Sequence, residues 1–327
     1  MADSQSNGRL NKKRKHSPNP PLIPFVTNEL WPEEELEIIV KDTIRNLKNE
    51  NDKEKDNIHP MKFLISGDVG FKLIWEAVKE FDLPVDCKFI ALELFHKFVV
   101  KQLDSLLGYI SKTDKHKNKG KLIKELEKRL RSQSPLRALT CVMIASKLAS
   151  NKKAIDAEIM YHFIQKMDIN FTKRQIVRSE TRVLEQLEYK CSHTSFIMVC
   201  VGIMVTAVGL KRHVIKEVKQ VRAEHLYKAS IYLLDFAYLN HDKIYKELFY
   251  LITGSRVISE NLRTAYARVV ADRFLLAAST VAGGSWVLGG NAFCSAVISC
   301  LNRATNLPVE DVESVTACLL HIAGLSE

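Results

Sequence analysis

The sequence predicts an all-α protein, and three observations carry that expectation. Nine prolines and thirteen glycines in 327 residues are few, and four of the prolines precede residue 25, so the body holds few helix breakers. Residues 138–150 contain one charge, Lys147, among small and apolar side chains, the pattern of a helix buried on most sides. Downstream, Ile176, Val177, Val183, Leu184 and Leu187 recur at three- and four-residue spacings, a core-facing helical stripe with Glu180 in its middle. The length suggests about two domains. A hydrophobic content of 46% is enough to build a core.

Taken in order, residues 1–24 are polar and proline-rich without periodicity, and read as a disordered basic tail. Lys12, Lys13, Arg14 and Lys15 form a short run of nuclear-localisation type. Residues 25–60 hold a helix over 31–47, with Pro32 near its start and Glu33 to Glu35 in the first turn, where acids suit the helix dipole. A charged connector follows over 48–57. Residues 61–190 read as one unit of about five core helices. The first covers 67–81 and carries Phe71, Ile74, Trp75 and Val78. A strongly apolar helix covers 86–107, and a lysine-rich loop covers 111–121. A short charged helix is expected at 122–131, then the central pair, joined by a helical segment at 155–166. Residues 191–327 repeat the pattern weakly. Ala91 and Phe98 are echoed by Ala229 and Phe236, Ala145–Ser150 by Ala278–Gly283, and Glu180 by Glu313. The order of these echoes suggests two tandem five-helix repeats, the second degenerate.

The net charge of +10 is local. Residues 1–24 carry five Lys/Arg against one acid, and the insert at 111–134 carries nine against three, which accounts for all of it. A nucleic-acid surface over the whole body is therefore unsupported. The insert remains a candidate contact for nucleic acid or an acidic partner. Seven cysteines, an odd number without a C-x-x-C, argue for buried free thiols and against disulfides or zinc. Residues 191–210 and 274–302 lack Lys, Arg, Asp and Glu for 20 and 29 residues. That is long enough to span a bilayer. Polar residues 192–195 shorten the first, however, and Gly283-Gly284 and Gly289-Gly290 interrupt the second. Two buried helices with a turn fit better, and no membrane is expected. The glycine-rich stretch is neither a P-loop nor a dinucleotide fingerprint, and neither H-E-x-x-H nor G-x-S-x-G occurs. The chain is expected to be non-catalytic, with no cofactor and no metal.

Lys147 and Glu180 are opposite charges on otherwise apolar faces of helices able to pack together. They fit either a satisfied internal salt bridge or a polar pair exposed in an apolar groove. In the second repeat Thr280 takes the place of Lys147, so the pair is not required to build the unit.

Residues 89–98 (FIALELFHKF), 143–148 (MIASKL) and 178–189 (RSETRVLEQLEY) resemble the second, third and fifth helices of a cyclin box. The similarity covers residues 60–190 well and 191–325 at the level of pattern. The texture FVVKQ at 98–102, the lysine-rich insert and VMIASKLAS at 142–150 resemble a meiotic crossover branch of the cyclins. The resemblance implies a non-catalytic subunit that binds a cyclin-dependent kinase. Lys147 and Glu180 would grip the kinase, and Leu148, Leu184 and Tyr189 would supply apolar contacts. It further implies meiotic recombination proteins as partners, and a location in the nucleus on meiotic chromosomes.

Overall fold

The computed structural model describes residues 33–58, 68–112, 119–149, 153–211 and 221–325, and every regular element among them is helical. The all-α expectation is met. The nuclear-localisation residues Lys12, Lys13, Arg14 and Lys15 lie outside the described residues, as do 113–118 of the insert.

The first half is built from α2 (Asp68–Glu80), α3 (Val85–Lys112), α4 (Lys119–Ala149), α5 (Ala157–Lys166) and α6 (Lys173–Gln186). α4 is central and packs on α2, α3 and α6. Its apolar stretch is fully inside, with Ala138, Leu139, Cys141, Val142, Met143 and Ala145 all buried. The second half holds α7 (Phe196–Leu210), α8 (Ala223–Leu239), α9 (His241–Thr253), α10 (Arg263–Ala271), α11 (Arg273–Thr305) and α12 (Val309–Ile322). Here α11 is central and packs on α7, α8 and α12. Each half thus wraps its partners around one small-residue helix. The echoed positions differ in burial: Ala278 is as buried as Ala145, while Ala229 and Phe236 are only half-buried.

Three elements depart from the sequence-based expectation. The first is α1 (Glu33–Asp56), which runs straight through the expected connector. Its charged second half is docked on the fold: Asn51 is buried, and Lys48 donates to the Thr305 and Asn306 carbonyls at 3.0 and 3.2 Å. Residues that read as a solvated linker are polar because their partners are polar. The second is α4, which includes the expected short helix and the end of the lysine-rich loop, and continues through Pro135. A proline removes one backbone donor without necessarily ending a helix. Buried Leu130 anchors the turn before it.

The third is α11. Gly290 has φ 71° and ψ −164°, outside helical space, and breaks the run. Lys48 reaches the end of α11 at Thr305, while Asn51, less than one turn along α1, reaches its start at Asp272. The run therefore folds back on itself at Gly290. The turn expected from the glycines exists, at the second pair only. Gly283 and Gly284 lie inside the helix and permit close packing on α8. A Cβ at Gly284 would sit 3.0 Å from the Ser230 backbone nitrogen. By length and composition α11 could cross a membrane, yet half of its most apolar stretch is buried in the fold.

The halves are joined by polar bonds set in aromatic surroundings. Lys88 of α3 meets Asp235 of α8 at 2.5 Å and lies over the Trp75 and Phe89 rings. Burial raises the Asp235 carboxyl, against the pull of Lys88. Glu93 of α3 accepts the Phe196 backbone N–H at 2.8 Å, capping α7 from the other half. The Arg273 guanidinium, part-buried at the start of α11, pairs with Glu54 and lies 3.8 Å from Glu93. It stacks over the Phe196 ring at 4.4 Å.

Six cysteines are buried and Cys191 is partly exposed. Burial pushes the Cys87 thiol up to about 12 and Cys318 to about 11, and raises Cys141 and Cys200 further. A thiol reactive toward disulfide reagents needs thiolate character and access. Titration of the native protein with an aromatic disulfide at neutral pH should label Cys191 first, with the six buried thiols appearing only on denaturation. Rapid native labelling of several thiols would show that the core opens readily.

Candidate functional site

The sequence-predicted residues come together where the end of α4 meets the middle of α6. Ser146 fixes the chain leaving α4: its hydroxyl donates to the Met143 carbonyl at 2.8 Å and accepts from the Ile155 backbone N–H at 2.9 Å. That presents Lys147 on the outer side of the last turn. Its ammonium pairs with the Glu180 carboxylate across the two helices.

α6 is fixed at both ends. Thr172 and Gln175 form a reciprocal capping box at its start. At its end the Tyr189 N–H bonds to the Leu184 carbonyl and the Glu188 N–H to Glu185, both at 2.9 Å, the paired bonds of a Schellman motif. Glu188 and Tyr189 take positive φ of 55° and 57° to make this turn. Lys101 and Lys190, both 2.7 Å from Glu188, hold its carboxyl down to about 2. The motif brings the backbone of Tyr189 against that of Leu184, so these two predicted contact residues share one end of the site.

The pair is neither sealed inside nor free. Side-chain exposure is 43% for Lys147 and 21% for Glu180, so water reaches both groups. Val177, one turn before Glu180, is 48% exposed, Leu148 and Leu184 are half-buried, and Tyr189, just past the end of α6, is 68% exposed. Val177 corrects the expected core stripe. Ile176, Val183 and Leu187 are buried, whereas Val177 and Leu184 lie on the flank that Glu180 occupies. At 100° per residue Val177 and Leu184 point about 80–100° away from Ile176, a signal that was present in the spacing. Their exposure leaves an apolar strip around an ion pair. In the second half, Thr280 is fully buried and bonds the Ala277 carbonyl at 2.8 Å, so the position that echoes Lys147 faces the core.

The chain is 25% identical over 237 residues to the Homo sapiens protein named cyclin N-terminal domain-containing protein 1, covering 72% of this chain and 69% of that one. The Mus musculus protein of the same name is 23% identical over 236 residues, covering 72% and 68%. The chain is cyclin-like. No protein-family profile matches it, and no solved structure does. The helical architecture of this cyclin-like chain agrees with that similarity, and the Lys147–Glu180 junction lies in its first half. Among the described residues no three His, Cys, Asp or Glu side chains group as metal ligands would.

Proposed function

We propose that this cyclin-like chain is a non-catalytic regulatory subunit. It binds a cyclin-dependent kinase through the α4–α6 junction and supports crossover maturation at meiotic recombination sites in the nucleus. One observation carries the kinase part: the Lys147–Glu180 pair is open to water, with exposed Val177 one turn away on α6 and exposed Tyr189 just past the end of that helix. An ion pair that serves only the fold needs no exposed apolar border. A partner helix laid across this junction would cover apolar surface, which favours association, and present polar ends to the two charges. The meiotic part rests on the resemblance of residues 98–102 and 142–150 to the meiotic branch.

The test is affinity capture from germ cells with the full chain and with Lys147→Ala. Wild type should retain a cyclin-dependent kinase, and the variant should lose it while remaining folded. Capture of recombination proteins with no kinase in either sample would replace this reading with that of a scaffold.

A further inference from the structure

The two halves enclose a cavity of about 540 Å³, where α1 and α3 face the α8–α9 and α10–α11 junctions. Phe71, Phe89 and Leu276, all buried, form part of its wall. Three polar side chains on that wall lack hydrogen-bond partners among the described residues. Ser195 is 2% exposed, and its hydroxyl is unmatched. His241 Nδ1 is unmatched as well, because Asp242 Oδ1 lies 3.6 Å away, beyond hydrogen-bond reach. Tyr238 is 7% exposed, and no group of the described fold bonds its hydroxyl. The charges that act on that hydroxyl, Arg273 and Glu93, line the same cavity, which places the hydroxyl on the cavity side. Burial raises the Tyr238 phenol, so it stays a neutral donor.

Buried polar groups nearly always find partners, so three left open on one cavity call for an occupant that supplies them. Water needs several polar partners at once, and ring and aliphatic walls offer few. The charges do not call for an ion. Arg273 is matched by Glu54 and Lys97 by Glu93, while Glu50, Lys53 and Asp104 are exposed to water. The wall favours a ring. Phe71 meets Tyr238 edge to face with centroids 6.0 Å apart, and meets His241 in the same way at 5.8 Å, a cluster that another aromatic ring would extend. The volume is that of small-molecule sites, which are mostly apolar with a few placed polar groups. We propose that this cavity binds a small uncharged aromatic molecule whose polar group bonds the Tyr238 hydroxyl. Lys147, Glu180, Val177 and Tyr189 do not line it, so the site does not rest on the kinase reading.

The test is a titration of the isotope-labelled full chain with phenol, toluene and benzoate, following the methyl resonances of Val270 and Leu276 on the cavity wall. Phenol should give saturable shifts, and at lower concentration than toluene, which carries a methyl in place of the hydroxyl. Benzoate should bind no better than toluene. Tyr238→Phe removes a hydroxyl without a partner in the fold, so the melting temperature should not fall. The same substitution should weaken phenol about threefold to tenfold, the worth of one hydrogen bond, and leave toluene unchanged. Linear drifts with phenol and toluene alike would mean that water suffices there, and would overturn the site. Equal binding of the two, or an advantage of phenol that survives Tyr238→Phe, would overturn the bond to Tyr238. Tightest binding of benzoate would make it an anion site and overturn the uncharged class. A Tyr238→Phe protein that melts several degrees lower would show that the fold itself uses the hydroxyl, and would remove the ground for the proposal.

Discussion

Asp272→Ala should be the most destabilising single substitution on the surface joining α1 to the second half. One Asp272 oxygen accepts from the Leu275 backbone N–H and the Asn51 amide, each at 2.9 Å, and the other from Lys55 at 2.6 Å. The Asn51 carbonyl takes the Phe274 N–H at 3.1 Å. One buried carboxylate thus caps α11, fixes Asn51 and shares Lys55 with Asp52. The cap alone is worth ~1 kcal/mol. Breaking a buried ionic cluster by removing one member costs ~3–5 kcal/mol, because the remaining groups stay desolvated. In a chain of this size that corresponds to a fall in melting temperature of roughly 4–7 °C. Asp272→Asn keeps an oxygen for the cap but loses the charge, and should fall between the two. Lys228→Ala, which breaks an exposed pair within α8, should change stability by less than about 0.5 kcal/mol. Thermal unfolding of the three variants checks the ranking. If Asp272→Ala behaved like Lys228→Ala, α1 would not be part of the cooperative fold.

This network shows where the sequence was legible and where it was not. Helices that bury a continuous apolar face announced themselves: 138–149 in α4 and the run into α11 are made mostly of small and apolar residues. Segments whose burial is polar did not. Asn51, Lys48 and Lys55 read as linker because their composition is that of a solvated chain, and only their partners at 272 and 305–306, more than 200 residues away, make them helix and interface. The short helix expected at 122–131 likewise stopped before Pro135, since nothing local reveals that Leu130 and Leu136, buried on either side, belong to one helix running through it. The segment from α9 to α10 carried no clear sign, and it leaves Leu251, Ile252 and Val257 exposed.

The functional site was legible in its charges and not in its relief. Lys147 and Glu180 stood out as lone charges on apolar stretches, and the structure joins them. What spacing could not decide was how far water reaches them, since that depends on where the neighbouring apolar side chains turn. Val177 was grouped with the core, yet it borders the pair. The cavity between the halves was missed altogether. Ser195, Tyr238 and His241 carry no mark in the sequence, and only tertiary packing brings them onto one wall.

Lys147→Ala separates the two roles open to that pair. If the pair served the fold, its loss would strand a carboxylate and cost ~3–5 kcal/mol of stability. Glu180 keeps contact with water, however, and exposed pairs contribute only ~0–1 kcal/mol. The variant should therefore melt within a few degrees of wild type. Binding is different. A kinase segment seated on the junction would exclude water from Glu180 and from its own polar groups, so removing Lys147 would leave them desolvated and unmatched. That costs on the order of 2–5 kcal/mol, about 30-fold or more in affinity. Tyr189→Ala, which deletes exposed apolar surface without touching the pair, should weaken binding by a smaller factor and leave stability unchanged. A melting curve and a binding titration on each variant give four numbers. A Lys147→Ala protein that unfolds easily yet binds normally when folded would return the pair to the fold. One that is stable and still binds the kinase would mean that the kinase is held elsewhere. One that is stable and binds no kinase even as wild type would mean that the cyclin-like architecture has been turned to another use.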